Sequence, residues 1–352
     1  MRTRIPPLEN PYVLVVTDGL PREEWLEYRR KGIGGSDAPA VLGVSPFATA
    51  RDIYYDKLKI VSYEDPDENW VRKEMGNLLE DLVARIFHVR TGYPICKIKK
   101  MFYHPDHPFM LADIDFFTVL PNGETAILEI KTTNAQALDS WWRDGIESVP
   151  VNYEIQGRHY MATMDVDHVF FCCFYGNDEY DIVIRHITRD MCYEEELIML
   201  EEDFWQEHVM KKIPPPYVED GELVIKSVKE HYGPADTEAP AIELSLPNAN
   251  SAMRYLELQA QKAILNAEVK RVDSEMKLMQ GRIVDEMGKC CTASYNHDGI
   301  DYTITYNPVY KKGINKDDLF RLQMQYPEIY EQFVSESESR RFYVKKTPKK
   351  AA

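Results

Sequence analysis

The sequence predicts an α/β protein in which a mixed sheet is flanked by helices. Three observations lead to this fold class. Residues 75–90 have the hydrophobic period of an amphipathic helix, residues 109–133 have the pattern of a β-hairpin, and residues 150–211 run from a helix through a strand pair to a closing helix. Helices that alternate with strand pairs favour a mixed sheet with helices on its faces.

Length and composition are those of a soluble globular protein. With 352 residues the chain exceeds a comfortable single core, so a large domain and a smaller one are expected. No apolar run reaches the length of about 18 residues that a membrane span needs, and the polar start MRTRIPPLEN lacks a signal-peptide core. The six cysteines contain no CxxC motif, which favours reduced thiols and a cytoplasmic location, in the host if the protein is viral.

The net charge bears on possible nucleic-acid binding. A value of −16 with a pI near 5.1 argues against a protein that coats nucleic acid nonspecifically. It still allows a locally basic groove, from which binding should fall steeply with salt.

Residues 22–45 combine a helical pattern, which contains Arg29, with a glycine-rich turn. Ser36-Asp37 follows the glycines and has the composition of an N-cap for the next helix. Glycine amides that open a helix, with the two arginines Arg29 and Arg30 just upstream, can form a pocket for a phosphate. A flexible turn with an ordinary cap is the alternative.

The helix predicted over residues 75–90 has a continuous apolar stripe. The stripe contains Met75, Leu78, Leu79, Leu82, Val83, Ile86 and Phe87. Glu80 lies at the edge of this stripe, and Gly76 one turn earlier leaves room for the close approach of a ligand. A solvated surface glutamate is the alternative interpretation of Glu80.

The stretch 109–133 reads as two strands joined at Asn122-Gly123, a pair that favours a tight turn. Glu129 and Lys131 share one face of the second strand, and Asp113 and Asp115 share one face of the first. Such a hairpin can hold a hard divalent cation beside a polarised water. The alternative is an exposed strand pair with a surface Glu-Lys ladder.

The register of this hairpin stays open at the level of sequence. A strict two-residue turn sets Asp115 opposite Ile130, which points to the other face. A one-residue bulge sets Asp115 opposite Glu129, and bulges are common beside active sites.

After the hairpin, Pro150 precedes a helix with Tyr153, Gln156 and Tyr160 at helical spacing. Strands are predicted over 167–175 and 180–187, and a helix over 194–211 closes this part of the chain.

The residues beyond 215 differ in composition. Residues 216–250 are rich in proline and acid and are predicted as a linker. Residues 251–352 are predicted to form a long helix, a hairpin at Asp298-Gly299, a helical stretch over 315–334 and a basic tail. The long helix has a seam with alternating steps of four and three, at Leu265, Val269, Val272, Met276, Met279 and Ile283. This seam fits a coiled coil or a single helix packed on the body.

Five motifs, taken together, resemble the YqaJ-like viral recombinase family, which is related to lambda exonuclease within the PD-(D/E)xK nuclease superfamily. They are WLEYRRKGIGGSDA, GNLLED, MLADIDF, LEIKTT and PVNYEIQGRHYM. They occur in one order over about residues 20–215, which is far more specific than a lone D…ExK. The resemblance implies a restriction-endonuclease-like nuclease core over residues 1–215. The usual PD dipeptide is Ile114-Asp115 here, which leaves the carboxylate in place.

The resemblance also implies site residues. The catalytic residues would be Glu80, Asp115, Glu129, Lys131 and Gln156. One or two Mg²⁺ or Mn²⁺ ions would be bound by Glu80, Asp115, Glu129 and the carbonyl of Ile130. Arg29 and Ser36 would lie near the DNA 5′-phosphate, and Asp113, where relatives often show Ser or Asn, ranks below Asp115.

The implied function is a metal-dependent DNA exonuclease that resects duplex ends 5′→3′ for phage-type recombination or single-strand annealing. An endonuclease of the same superfamily and a non-catalytic DNA-binding recombination scaffold are the alternatives. The expected partners are double-stranded DNA ends, a single-strand annealing protein and further copies of the chain, for which a ring is one option.

Overall fold

A computed structural model describes residues 12–60, 70–308 and 314–334. The chain separates into two compact units, Met1–Thr237 (unit 1) and Glu238–Ala352 (unit 2). The basic tail predicted at the carboxyl end lies outside the described residues. None of the helices in the described ranges combines the length and apolar character that a bilayer crossing requires.

Unit 1 contains both helices and strands. Its strands are β1 (Tyr12–Val16), β2 (Ile33–Gly34), β3 (Ile95–Cys96), β4 (Lys100–Tyr103), β5 (Met110–Asp113), β6 (Phe116–Val119), β7 (Thr125–Thr132), β8 (Trp142–Arg143), β9 (Ile146–Glu147), β10 (His168–Phe174) and β11 (Ile182–Thr188). Its helices are α1 (Arg22–Arg29), α2 (Ala38–Val41), α3 (Ala50–Lys57), α4 (Trp70–Thr91), α5 (Val151–Met164), α6 (Met191–Asp203) and α7 (Gly221–Tyr232). A 3-10 helix covers Ala135–Trp141, and a π-helical segment covers Phe204–Met210.

The larger sheet has the strand order β11-β10-β7-β6-β3. β10 runs parallel to β7, while the other neighbouring pairs are antiparallel. The parallel pair is connected through α5, as such pairs require a crossover. α4 packs through Val83 and Phe87 on one face, and α5 packs through Met161 and Met164 on the other. The predicted mixed sheet flanked by helices is therefore confirmed.

β7 carries alternating side chains to these two layers. Leu128 and Ile130 belong to the core under α4, whereas Ile127 belongs to the core under α5. Glu129 and Lys131 follow the parity of Ile127, as strand alternation predicts. Two hydrophilic residues of the central strand are thus directed toward the layer that contains α5.

Two registers of the hairpin were considered from sequence. The hairpin between β6 and β7 has the second one, which sets Asp115 opposite Glu129. Val119 pairs with Thr125 and Phe116 pairs with Leu128, so the next pair in this register would be Asp115 with Glu129. The loop closes as the Gly123 amide donates to the Leu120 carbonyl at 2.9 Å. Gly123 has φ +90°, a backbone conformation that favours glycine.

The first run of the predicted hairpin is not one strand. β5 belongs to a second sheet, of order β1-β4-β5-β2, and the chain changes sheets at Ile114-Asp115. The sequence does not reveal this change of sheets, because the apolar residues of β5 and of β6 are buried alike and only Ile114-Asp115 lies between the two strands. Asp113 therefore ends the smaller sheet and Asp115 precedes the larger one.

α4 is longer than the predicted helix, and its apolar stripe is only partly buried. Val83, Ala84 and Phe87 are buried, whereas Met75 and Leu78 are exposed. The apolar stripe predicted from sequence therefore has a packing partner mainly in the second half of the helix. Hydrophobic periodicity identifies the apolar side of a helix but not which of its turns have a packing partner.

The stretch 216–250, predicted as a linker, contains α7, which packs on unit 1. The Ser227 hydroxyl is buried and hydrogen-bonds with Asp52, and the His231 ring stacks on Tyr55 with centroids 3.9 Å apart. The linker prediction missed this helix because the prolines and acids that flank it dominate the local composition.

Unit 2 contains α8 (Leu246–Met287), β12 (Thr292–His297), β13 (Ile300–Thr305), α9 (Lys316–Gln325) and α10 (Pro327–Phe333). The β12–β13 turn has positive φ at Asp298 and Gly299, as the Asp-Gly pair predicts. The six seam residues of α8 are 40–64% exposed.

Candidate active site

One cavity of about 480 Å³ in unit 1 collects most of the residues singled out from sequence. Its lining includes Arg29, Ser36, Glu80, Asp115, Glu129 and Gln156. Lys131 joins this set through hydrogen bonds to two of its members. The side chains come from α1, α4, β7, α5 and the loops beside them, so the fold brings distant motifs together.

Glu129, Lys131 and Gln156 form a closed hydrogen-bonded triangle. Lys131 Nζ donates to Glu129 Oε1 at 2.6 Å and to Gln156 Oε1 at 3.0 Å. Gln156 Nε2 donates to the same Glu129 Oε1 at 2.6 Å. Because Glu129 is only 3% exposed, these two donors hold a buried carboxylate in one orientation.

The other oxygen of this carboxylate is unsatisfied. Glu129 Oε2 is buried and has no hydrogen-bond partner among the residues that the structure describes. A buried carboxylate oxygen without a donor is costly, so a cation at this oxygen would stabilise it.

Asp115 adds a second, half-buried carboxylate beside Glu129. The amide of Ile130 donates to Asp115 Oδ2 at 2.9 Å, which ties the residue before β6 to the middle of β7. Burial, and then the negative charge of Glu129, raise the pKa of Asp115 well above its usual value. Ile130 thus contacts this site through its amide, and a ligand role for its carbonyl stays a prediction.

Lys131 is held in its charged form. Burial alone would lower its pKa, but Glu129 and Asp115 outweigh burial and raise it. An ammonium group in this position acts as a fixed cation and not as a general base.

Glu80 lines the cavity but points to another partner. Its Oε1 accepts from Lys97 Nζ at 2.6 Å. Its charge nevertheless raises the pKa values of Asp113 and Asp115, although less than burial does. Across residues 12–60, 70–308 and 314–334, no three His, Cys, Asp or Glu side chains converge into a ready-made metal site.

The donor set still fits a hard divalent cation. Such ions prefer oxygen ligands from carboxylates. The half-buried Asp115 lies beside the buried Glu129, and Glu129 presents an unsatisfied oxygen. Glu80 lines the same cavity with a flexible side chain.

Arg29 and Ser36 meet on another wall of the cavity. One Arg29 Nη donates to Ser36 Oγ at 2.8 Å and to Asp37 Oδ1 at 2.6 Å. Asp37 in turn accepts from the buried Lys57 at 2.7 Å and from the Gly34 amide at 3.0 Å. This trio of Arg29, Lys57 and Asp37 has one positive charge in excess.

The helix predicted to begin after Ser36-Asp37 does begin there, as α2, with Asp37 at the N-cap position, but the expected capping hydrogen bond is missing. Burial alone would raise the pKa of Asp37, but Lys57 and then Arg29 outweigh it and lower the pKa to about 2. A carboxylate between two cations satisfies them in preference to a helix end.

Gly35 permits this wall to approach α5. A Cβ atom at Gly35 would lie 2.4 Å from the Tyr160 ring, which is closer than packing allows. The Tyr160 hydroxyl also accepts from Gln156 Nε2 at 3.3 Å. One helix, α5, therefore contacts both the triangle and the Arg29 wall.

The sequence reasoning assigned no site role to Trp25 or Lys97, and it ranked Asp113 below the next aspartate along the chain, yet all three line the cavity. Trp25 Nε1 donates to Asp113 Oδ2 at 2.7 Å, and the Arg29 guanidinium lies 5.1 Å from the Trp25 ring centroid. Lys97 contacts Glu80 from the loop between β3 and β4. Trp25 and Asp113 stand inside the quoted motifs, whereas nothing in the run KIKK singles out Lys97.

A buried ion pair joins α5 to α6. His159 Nδ1 contacts both carboxylate oxygens of Glu201, at 2.8 and 2.9 Å, and Nε2 lies 2.9 Å from the Leu111 carbonyl. Because both acceptors lack protons of their own, both ring nitrogens donate and the ring is positively charged. Burial alone would lower the pKa of His159, but Glu201 outweighs it and raises the pKa.

Comparison with known proteins gives one match along the whole chain. A family model described as the YqaJ-like viral recombinase domain matches residues 24–167. The uncharacterized protein YqaJ of Bacillus subtilis (strain 168) is 31% identical over 336 residues, which cover 95% of this chain and 97% of that protein.

Solved structures match part of the chain at lower identity. An alkaline exonuclease from Laribacter hongkongensis, LHK-Exo, aligns with a TM-score of 0.43 and 18% identity, over 59% of this chain and 98% of its own. A phage related exonuclease from Haemophilus somnus 129PT aligns with a TM-score of 0.35 and 14% identity, over 51% of this chain and 96% of its own.

Proposed function

Because this chain belongs to the YqaJ-like viral recombinase family, we propose that it is a divalent-metal-dependent deoxyribonuclease. Its substrate would be the end of double-stranded DNA, resected 5′→3′ for phage-type recombination or single-strand annealing. The cofactor would be Mg²⁺ or Mn²⁺, and the site of action the cytoplasm, of a host cell if the protein is viral.

The observation that carries the proposal is the arrangement around Glu129. A buried carboxylate has one oxygen held by Lys131 and Gln156 and the other left without a donor. A second carboxylate, the half-buried Asp115, lies beside it with a raised pKa. Two adjacent carboxylates shielded from water repel each other unless a cation lies between them.

Each residue of the site has a role that follows from its contacts. Glu129, Asp115 and Glu80 would bind the metal, which when bound lowers the pKa of a water and stabilises charge on the scissile phosphate. Lys131 keeps its proton and orients Glu129, and its ammonium group can also stabilise the charge of a phosphate oxygen. Gln156 fixes both partners in place.

Arg29 and Ser36 would bind the terminal 5′-phosphate. Their position in the same cavity as the carboxylates suits an enzyme that holds an end and cuts nearby. The excess positive charge of the trio with Lys57 and Asp37 favours a phosphate over a neutral end.

An endonuclease of the same superfamily remains the first alternative. It would need no site for a terminal phosphate, so the Arg29–Ser36 contact favours the exonuclease. A non-catalytic scaffold is the second alternative. It would have no use for the buried charges of Asp115, Glu129 and Lys131, since burying charges that serve no role costs stability.

Unit 2 suggests partners for the nuclease. The seam of α8 is exposed and has the 3.5-residue spacing of coiled coils. Self-association, with a closed ring as one option, or contact with a single-strand annealing protein would cover it. Removing residues 238–352 should lower the number of subunits per particle, measured from the mass in solution, if the seam mediates self-association, and an unchanged number would count against it.

The test of the proposed function uses DNA ends of defined chemistry. The protein would be incubated with linear duplex carrying 5′-phosphate or 5′-hydroxyl ends, and with closed circular duplex, in Mg²⁺ or in EDTA. We expect digestion of linear DNA in Mg²⁺ only, faster from 5′-phosphate ends, with loss of activity in K131A. Digestion in EDTA, or undiminished digestion by K131A, would refute the proposed chemistry.

A further inference from the structure

Lys97 neutralises Glu80 inside the candidate active site. Its Nζ lies 2.6 Å from Glu80 Oε1 and 3.4 Å from Asp81 Oδ1. The same ammonium group lies 4.9 Å from the centroid of the Phe116 ring, the first residue of β6. Lys97 therefore reaches Glu80 from the side of the cavity where the larger sheet begins.

Two carboxylates of the cavity, Glu129 and Glu80, pair with lysines that differ in their exposure to solvent. Lys131 is buried in the triangle with Glu129 and Gln156 and has a structural role there. The Lys97 side chain is 37% exposed and Glu80 is 24% exposed, so their ion pair faces solvent. A partly exposed pair between two flexible side chains contributes little stability and can be broken at small cost.

The proposed metal and Lys97 compete for the carboxylate of Glu80. While Lys97 Nζ holds Oε1, the positive charge of the ammonium group opposes the binding of a second cation at this carboxylate. The released ammonium group would then lie in a cavity that is proposed to contain DNA. A flexible, strongly hydrated lysine is well suited to bind a phosphate as a point charge.

We propose that Lys97 is an exchangeable counter-ion, which pairs with Glu80 in the metal-free cavity and moves to the DNA backbone when a divalent cation binds Glu80. The consequence is thermodynamic coupling between the two ligands. Metal would release Lys97 for DNA, and DNA would withdraw Lys97 from Glu80. Each ligand therefore raises the affinity for the other by the same factor.

The experiment compares metal affinity with and without DNA. Binding of Mn²⁺ to the full-length protein would be titrated by calorimetry, alone and with a 5′-phosphorylated duplex whose terminal linkages resist cleavage. K97M removes the charge while keeping a side chain of similar length. Without DNA we expect K97M to bind Mn²⁺ about threefold to tenfold more tightly than the wild type. The enhancement by DNA should be smaller in K97M.

Two control variants separate exchange from a general charge effect. Lys99 lines the same cavity but pairs with Asp18 at 2.7 Å, so K99M should change Mn²⁺ affinity much less than K97M. K97R retains the charge and should restore the weaker wild-type affinity. Circular dichroism would establish that each variant is folded, and K97Q would replace K97M if that variant is not.

The outcomes distinguish this inference from the proposed function on which it rests. If the wild type binds Mn²⁺ and digests DNA but K97M binds the metal no more tightly, or keeps the full enhancement by DNA, the counter-ion exchange is wrong and the nuclease stands. If K99M matches K97M, the effect is general electrostatics and the exchange is again wrong. If the wild type neither binds Mn²⁺ nor digests DNA, both proposals fail.

Discussion

The side chain of Gln156 donates from Nε2 to Glu129 Oε1 across 2.6 Å, joining α5 to the central strand β7. The same glutamine accepts from Lys131, so one amide orients both charged groups. Asparagine or glutamine suits this position because its amide has a donor and an acceptor at the same end of the side chain.

We expect Q156A to lower the rate of DNA digestion by about tenfold to a hundredfold, the range for residues that orient metal ligands. The loss should come with weaker Mn²⁺ binding, because Glu129 loses a donor that holds it. Initial rates on linear duplex and calorimetric titration would measure both. Q136A, at an exposed position of the 3-10 helix, should leave both unchanged.

K131M should destabilise the fold as well as abolish digestion. Removing one partner of a buried ion pair leaves the other uncompensated, at a cost of about 3 kcal/mol. The free energy of unfolding would be measured by urea denaturation in EDTA. Because E129Q removes the stranded charge, the double variant E129Q/K131M should recover part of the loss, and no recovery would contradict the ion-pair interpretation.

R29M should abolish the preference for 5′-phosphorylated ends. The ratio of digestion rates on 5′-phosphate and 5′-hydroxyl ends should fall toward one, because the excess cation of the trio is gone. R30M is the matched control, since Arg30 pairs with Glu27 and Asp56 and does not line the cavity. An unchanged ratio in R29M would remove Arg29 from end recognition.

G35A should disturb the wall formed by Arg29 and Ser36. The added methyl group overlaps the Tyr160 ring, and overpacking of this kind costs about 1–3 kcal/mol. G281A, in α8, meets no atom within 4 Å and should instead be neutral or slightly stabilising. Thermal or urea unfolding of the two variants beside the wild type makes the comparison.

The His159–Glu201 pair predicts a specific pH dependence. A histidine with a raised folded pKa contributes its full stability below the unfolded pKa of about 6.5 and loses it as pH rises through the folded pKa. E201Q should therefore be less stable than the wild type by about 2 kcal/mol at pH 6, from the weakened bond to a charged group. The difference in the free energy of unfolding between the wild type and E201Q should narrow as pH rises. Urea unfolding from pH 6 to 9 would measure it, and a difference that widens would contradict the prediction.

Motif order was sufficient to predict which residues meet in the cavity, but not their contacts. Hydrophobic alternation placed Glu129 and Lys131 on one face of β7, and helical spacing placed Gln156 near Tyr160. The register that sets Asp115 beside Glu129 depended on a loop conformation that the Asn-Gly pair leaves open. The pairs Lys97–Glu80 and His159–Glu201 join residues far apart in sequence, and no local pattern identifies such partners.

The fold was predictable from sequence where a residue pattern is compatible with only one local structure. The hairpin at Asp298-Gly299 needs positive φ at both residues, and that pair of residues supplies it. The change of sheets at Ile114-Asp115 was not predictable, because strands in both sheets have the same apolar alternation. α7 was missed because it is a short helix, and the prolines and acids around it dominate the composition of the stretch.

The change of sheets has a geometric consequence. Asp113 belongs to the layer that contacts Trp25 beside Arg29, and Asp115 belongs to the layer that contains Glu129. Two residues of extended chain span at most about 7 Å, so the backbone itself limits the separation between Asp113 and Asp115. Movement of the surface loops cannot lengthen this covalent connection, and the two sheets stay joined at the wall of the cavity.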